Sequence, residues 1–151
     1  RVVTLPSASS AAKSLYQLSV RVHQAEGLRK VAGAFSEGCD PFVRVEFNGT
    51  SQETQTLHGT SAPVWNEEVR APFIMPCWDD SVTVRLLSAG GATSREAALG
   101  EVCLQVDGLD AQAVATWYNF YYAPKEASAG LFRGPAEPDA SAFGGRLLLS
   151  A

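Results

Sequence analysis

The chain has 151 residues, of which 46% are hydrophobic and 19% charged, and its net charge is −4. This length is enough for one domain with a substantial core. The negative charge argues against a nucleic-acid binder, in which a basic face dominates affinity. No apolar run approaches the roughly 18 residues that a membrane-spanning helix needs.

Short alternating strands separated by turn signals begin near residue 15. Residues 1–14, rich in serine and alanine, are predicted to be a lead-in or linker. Residues 15–23 and 41–47 alternate apolar and polar side chains with a period of two, which indicates half-buried strands. Asn48-Gly49 then predicts a tight hairpin turn, because both central positions of that turn need positive φ. Its return strand is predicted over 51–57.

The second half of the chain continues the same pattern. Further strands are predicted up to Phe73 and at residues 82–86, 99–106, 117–122 and 145–151, with Gly100 as a site of bending or bulging. Residues 107–115 are predicted to form one or two helical turns. Residues 123–144, rich in proline and glycine, are predicted to be an irregular excursion. About eight short strands with almost no helix predict an all-β antiparallel sandwich.

Four motifs follow one another between residues 15 and 122. An alternating strand runs into an Ala-x-x-Leu turn at residues 18–30, and CDPFVRV follows at 39–45. SAPVWNEE lies at 61–68 and Leu-Gly-Glu at 99–101. Together these motifs resemble the C2 domain family. The resemblance implies an eight-stranded antiparallel C2 β-sandwich, with residues 15–151 as a single domain.

A narrower resemblance is to the C2 domains of ferlins, which are tail-anchored multi-C2 proteins of vesicle fusion and membrane repair. It rests on the aromatic strand WYNFY at 117–121, on Ala123-Pro124, and on GGRLLLS at 144–150. The leucine-rich last strand indicates the permuted (type II) C2 topology. The ferlin resemblance implies a non-catalytic module of a larger membrane-anchored protein, working at the cytoplasmic face of a membrane.

The C2 resemblance also implies where calcium ligands would lie, and most of these positions lack an acid. Of the usual acidic positions, Asp40 alone clearly keeps its carboxylate. Ala34 occupies the partner position in the first loop, and Ser88 and Gly90 occupy the third-loop pair. Residues 81–95 contain no Asp or Glu.

Calcium takes about six to eight oxygen ligands, mostly carboxylate. We therefore expect no bound metal and no other cofactor, and we expect Asp40 to fix its loop by accepting backbone N–H bonds. The alternative is a Ca²⁺-dependent phospholipid-binding domain. Its residual ligand candidates are Asp40, Glu37 and Glu96.

The apolar and basic residues of the loops are candidates for weak, calcium-independent contact with phospholipid. The membrane-contact candidates are Arg29, Lys30, Val31, Phe35 and Arg95. The strand predicted over 51–57 contains no Lys or Arg. Lipid binding through a lysine-rich strand, which occurs in many C2 domains, is therefore not expected.

A further alternative is a purely structural or protein-docking domain that binds other proteins or neighbouring domains. Trp78, beside Asp79 and Asp80, is the candidate protein contact, in a loop at the opposite end of the sandwich. Alternate members of the aromatic strand 117–122 are expected to pack in the core, and Trp65 is assigned to the fold.

Catalysis has little support in the sequence, and we expect no enzyme. There are only two histidines, and no nucleophile or phosphate-binding motif occurs. The three cysteines are widely spaced, which does not suit a zinc site. Cys39, Cys77 and Cys103 are predicted to be buried free thiols in a reducing compartment.

Overall fold

The described residues form eight strands arranged as two antiparallel sheets. The computed structural model describes residues 13–30, 38–75, 77–90, 95–109, 114–122 and 142–151. The strands are β1 (Ser14–Glu26), β2 (Pro41–Phe47), β3 (Thr50–Glu53), β4 (Val64–Met75), β5 (Ser81–Ser88), β6 (Ala97–Gln105), β7 (Thr116–Tyr122) and β8 (Ala142–Ser150). A short 3-10 helix, η1 (Val106–Gly108), follows β6. Among the described residues, no helix has the length and apolar character needed to cross a bilayer.

Each sheet contains four strands. Sheet I has the order β4-β1-β8-β7, and sheet II has the order β3-β2-β5-β6. Every pairing is antiparallel. The predicted eight-stranded antiparallel sandwich is confirmed. The last strand, β8, lies inside sheet I between β1 and β7, and its assignment to the permuted topology stays a prediction.

The core lies between the inner faces of the two sheets. Leu18, Val20 and Val22 of β1 are buried, as the alternation predicts. Sheet II supplies Val82 and Val84 of β5 to the same cluster. Burying each such side chain contributes about 1.5–3 kcal/mol, so the alternating pattern of the strands also sets which face of each sheet is covered.

The Phe120 ring of β7 packs in a space left by two glycines. A Cβ atom added to Gly100 would lie 2.0 Å from Phe120 Cδ2, and one added to Gly145 would lie 3.1 Å from Phe120 Cζ. The pairing of β5 with β6 shifts register next to Gly100, which confirms the predicted bulge. Gly100 therefore allows both the close packing of the Phe120 ring and the bulge in β6.

Several strand boundaries differ from the prediction by a few residues, those of β3 and β8 among them. β3 ends at Glu53 instead of continuing to residue 57. The next residue, Thr54, is buried, and its hydroxyl accepts the Val43 N–H at 3.0 Å, in place of a strand carbonyl. β8 begins at Ala142, inside the range predicted to be irregular.

The strands connect at two ends of the sandwich. We call the end that holds the loops before β2 and β4 and after β1 and β5 the apical end. The opposite, basal end holds the Asn48-Gly49 hairpin, in which both residues have the expected positive φ of 48° and 76°. Trp78, between β4 and β5, also lies at the basal end.

Candidate functional site

Asp40 lies directly before β2 at the apical end, and its side chain is 22% exposed. Its Oδ1 atom accepts the backbone N–H of Gly59 at 2.8 Å. Nδ1 of His58 is 3.6 Å from the same oxygen. Asp40 therefore fixes a loop through a backbone N–H, as expected, although the donor belongs to the loop before β4.

Ser88, at the end of β5, contacts the same residue from the other side. The Asp40 N–H donates to Ser88 Oγ at 3.0 Å, and the Ala89 N–H donates to the Asp40 carbonyl at 2.8 Å. Ser88 is 1% exposed. The loops after β1 and β5 thus meet at Asp40, and the buried Ser88 hydroxyl occupies a position at which the C2 resemblance implies a calcium-binding acid.

Glu96 forms an ion pair with Arg44 on the outer face of sheet II. Arg44 Nη2 lies 3.1 Å from each Glu96 carboxylate oxygen, and Arg44 also pairs with Glu53 at 2.7 Å. The Glu53 hydrogen bond, followed by that of Glu96, raises the pKa of Arg44 above its ordinary value. A metal ion would have to compete with this guanidinium for the Glu96 carboxylate.

The remaining metal candidate, Glu37, lies outside the described residues. Within the part of the chain that the structure describes, no three His, Cys, Asp or Glu side chains form a group that could hold a metal ion. The structure therefore does not bring Asp40 and Glu96 together into such a group.

The predicted membrane-contact residues have different surroundings. Arg29 is half-buried, and its Nη2 donates to the Ala98 carbonyl of β6 at 2.6 Å. Lys30 and Arg95 are exposed. The other two members of the set, Val31 and Phe35, lie outside the described residues. The structural contact of Arg29 could not be predicted from the sequence, because its acceptor is a backbone carbonyl 69 residues away.

A network of ion pairs covers the outer face of sheet II. Arg85 lies between Glu101, at 2.9 Å, and Glu46, at 3.3 Å, just as Arg44 lies between Glu53 and Glu96. Two arginines among four glutamates leave this face with a net charge of −2. The absence of basic residues on the predicted third strand was the one sequence signal of this acidic character.

The basal loop presents the predicted protein-contact residues to solvent. Trp78 is fully exposed, at 101% of its reference area. Asp79 and Asp80 beside it are also exposed. An exposed tryptophan between the strands is unusual, because such side chains normally bury a large apolar surface.

The three cysteines all lie among the described residues and form no disulfide, but the prediction that all are buried was wrong. Cys39 is buried, Cys77 is half-buried and Cys103 is exposed. Burial raises the pKa of the Cys39 thiol, and the nearby charge of Asp40 adds to the effect. Cys103 lies between the inward-facing Val102 and Leu104 of β6, so the strand alternation turns it outward.

The two remaining sequence assignments concern aromatic residues. Trp65 is buried and donates from Nε1 to the Gln55 carbonyl at 3.0 Å, so its assignment to the fold is confirmed. In β7, Phe120 is buried, whereas Tyr121 is exposed. Trp117 is half-buried on the outer face, where the Arg146 guanidinium lies 4.5 Å from its ring centre.

The two four-stranded sheets and the loops that join them define an antiparallel β-sandwich, and the sequence family agrees. The C2 domain family model matches residues 16–120, and the chain belongs to this family. It is 32% identical over 145 residues to "Ferlin 1" of Toxoplasma gondii, a match that covers 90% of this chain and 10% of that protein. The chain thus spans about a tenth of the length of this relative.

Solved structures share the fold at low sequence identity. A C2 domain of plant Extended Synaptotagmin 1 superposes with a TM-score of 0.63 at 19% identity, covering 89% of this chain and 90% of that one. The calcium-bound pair of C2 domains of Extended-Synaptotagmin 2 gives a TM-score of 0.64 at 14% identity, covering 89% and 44%. Human GIVD cytosolic phospholipase A2 gives 0.59 at 21% identity, covering 93% and 16%.

The described apical residues do not fit the calcium site that the C2 family suggests. Such a site needs several carboxylates converging from two loops. Here the Asp40 carboxylate holds Gly59, Ser88 supplies only a hydroxyl, and the Glu96 carboxylate is paired with Arg44.

Proposed function

We propose that this chain is a calcium-independent, non-catalytic C2 module of a ferlin-like membrane-trafficking protein. It acts at the cytoplasmic face of a membrane as one part of a larger anchored protein. The observation that carries the proposal is the contact of Asp40 with Ser88, because the described residues of the two loops bring one carboxylate together there, and it is already hydrogen-bonded to Gly59.

The apical loops supply a weak contact with anionic phospholipid. Lys30 and Arg95 are exposed, and each basic residue near an anionic surface contributes roughly 1 kcal/mol. Arg29, Val31 and Phe35 remain candidates for the same surface. A contact of this size is useful when neighbouring modules tether the chain and raise its effective concentration at the membrane.

The outer face of sheet II turns away from the membrane in this proposal. Its net charge of −2 opposes binding to an anionic surface, and both arginines are held by glutamates. Membrane contact is therefore confined to the apical end.

The full exposure of Trp78 favours a second candidate function, protein docking at the basal end. Tryptophan is among the residues most enriched at the energetic centres of protein interfaces. Asp79 and Asp80 would add charge complementarity to a basic partner.

Co-sedimentation with vesicles of phosphatidylcholine and phosphatidylserine tests the proposed function. Wild type is expected to pellet weakly and equally in calcium and in EGTA, because the described residues of the apical end form no cluster of carboxylates that could hold the ion. Lys30→Ala/Arg95→Ala is expected to pellet less. Lys13→Ala/Arg21→Ala removes the same charge from exposed positions outside the apical loops, and it should behave like wild type.

Two other outcomes contradict the proposal. Pelleting that requires calcium would favour the Ca²⁺-dependent phospholipid-binding domain. No pelleting in either condition at low salt would leave protein docking as the function.

A further inference from the structure

Trp78, in the basal loop between β4 and β5, leaves its whole side chain in solvent, at 101% of its reference area. The other two tryptophans do not, because Trp65 is buried and Trp117 is half-buried. An exposed indole keeps a large apolar surface in water, and tryptophan is enriched at the energetic centres of protein interfaces. The packing of the domain does not explain this side chain, whereas a contact with another molecule does.

Carboxylates surround the basal loop. Asp79 and Asp80 follow the tryptophan, and both are exposed. The Val106 N–H donates to the Asp80 carbonyl at 2.8 Å, which holds η1 against the loop and places the exposed Asp107 at the same end. Among the described residues, Lys13 is the base at this end, and no base lies within ion-pair distance of Asp79 or Asp80. The loop therefore attracts a cationic partner and repels an anionic membrane.

A polar pocket of about 370 Å³ lies between the basal loop and the Asn48-Gly49 hairpin. Two carboxylates line it, those of Asp79 and Glu46, and Glu46 also accepts a hydrogen bond from Arg85 at 3.3 Å. Hydroxyl groups supply further acceptors, those of Thr50, Ser51, Ser81 and Thr83. The residues that line the pocket include no lysine or arginine. The pocket therefore suits a cationic group with several N–H donors, and guanidinium has five.

The opposite sheet of the same domain already holds a guanidinium between a tryptophan and a carboxylate. Arg146 lies 4.5 Å from the ring centre of Trp117 and forms an ion pair with Glu26. A planar guanidinium can stack on an indole and pair with a carboxylate at once, whereas the lysine ammonium acts as a point charge. Trp78 and Asp79 offer the same two groups, and both are exposed to other molecules.

We propose that the basal end docks an extended, arginine-containing segment of a partner protein, with one arginine stacked on Trp78 and paired with Asp79. The pocket beside the hairpin receives further donors of the segment. The proposal rests on protein docking, the second candidate function above, and names the chemistry of its partner. Because the site lies at the end opposite the apical loops, the domain can hold this partner while the apical end contacts a membrane.

The test is a titration of the complete ¹⁵N-labelled chain with an acetylated, amidated peptide in which arginine alternates with glycine and serine. The indole N–H signal of Trp78 is expected to shift, together with the amide signals of residues 48–51 and 79–81. The indole signals of Trp65 and Trp117 should stay in place. Lysine in place of arginine should weaken binding at least about threefold, and glutamate should abolish it. Added salt should weaken binding of the arginine peptide by screening.

Two variants and two controls locate the site. Trp78→Ala removes the stacking surface and Asp79→Asn removes the charge, and each should weaken peptide binding at least about threefold. Tyr121→Ala removes an exposed aromatic ring at the other end of the sandwich, and Glu26→Gln removes one negative charge there. Both controls should bind the peptide as wild type does. Thermal melting establishes that each variant is folded.

A second assay separates this site from the membrane contact. With the phosphatidylcholine and phosphatidylserine vesicles, Trp78→Ala should pellet as wild type does. A loss of pelleting would place Trp78 in the membrane contact and overturn the proposal. Failure of wild type to pellet would contradict the apical membrane contact alone, because peptide binding is measured without vesicles.

Three results of the peptide titration would also overturn the proposal. The first is no shift of the Trp78 indole signal at about millimolar arginine peptide. The second is an equal loss of binding in Glu26→Gln and Asp79→Asn, because binding would then follow the net charge of the chain. The third is a Trp78 shift with the glutamate peptide in place of the arginine peptide, which would keep basal docking but contradict the chemistry of the partner.

Discussion

The Asp40 carboxylate lies at the apical end, where it accepts a hydrogen bond from the Gly59 N–H of the loop before β4. The resemblance to C2 domains predicted the position of this residue, and the scarcity of acids around it could be read from the sequence. The donor could not, because Gly59 is 19 residues away and reaches Asp40 only after the loops have folded.

Removing the Asp40 side chain should destabilise the domain. Asp40→Ala leaves the Gly59 N–H without its acceptor, and a hydrogen bond to a charged group contributes about 1.5–3 kcal/mol. Asp40→Asn keeps an oxygen acceptor and should cost less. Urea unfolding measures both variants, and an unchanged unfolding midpoint in Asp40→Ala would show that the hydrogen bond contributes no stability.

Restoring acids should create calcium dependence. In Ser88→Asp/Gly90→Asp, two carboxylates join Asp40, so the variant should melt at a lower temperature than wild type in EGTA and recover in calcium. Wild type should melt at the same temperature in both. The uncharged Ser88→Asn/Gly90→Asn variant is the control. A calcium response in that control would show that the number of carboxylates does not cause the calcium dependence.

At the scale of the elements, strands with regular alternation were predicted within a few residues of their bounds. β2 matches the predicted range, whereas β3 is shorter because Thr54 replaces a strand hydrogen bond with its hydroxyl. Single-strand patterns cannot reveal contacts between strands. The Arg44–Glu96 pair joins residues 52 positions apart, and nothing in the local sequence of either residue indicates the other.

The fit of Phe120 against Gly100 gives a prediction for the packing of β6 on β7. Gly100→Ala places a methyl group 2.0 Å from the ring, and overpacking of this kind costs about 1–3 kcal/mol. Gly108→Ala is the matched control, because a Cβ atom there meets nothing within 4 Å. Calorimetric melting should show a lower transition temperature for Gly100→Ala alone.

Combining Gly100→Ala with Phe120→Leu tests the cause of that loss. The smaller side chain makes room for the methyl group, so the double variant should be more stable than the sum of the two single changes implies. Strict additivity would place the cost in the bulge of β6 and not in the contact with the ring.

At the scale of the whole molecule, the outer face of sheet II and the apical end differ in charge. The outer face of sheet II carries −2, while exposed basic residues lie in the apical loops. Composition gave the overall sign of the charge. The division of charge among surfaces depends on which strands are neighbours, so it became visible only with the fold.

Neutralising the glutamates of sheet II should give this face the membrane affinity that it lacks. Replacing all four by glutamine (Glu46, Glu53, Glu96 and Glu101) changes the net charge of the face from −2 to +2. The variant should pellet more strongly than wild type with anionic vesicles at low salt, and added salt should abolish the gain by screening. Equal pelleting would mean that the ion pairs do not govern membrane contact.

Isothermal titration of the chain with calcium tests most directly whether the apical loops lack a metal site. The Asp40 carboxylate is hydrogen-bonded to Gly59, and Ser88 beside it is buried and uncharged. We therefore expect no saturable heat at calcium concentrations below about 1 mM. Saturable binding in the micromolar range, lost in Asp40→Ala, would contradict calcium independence.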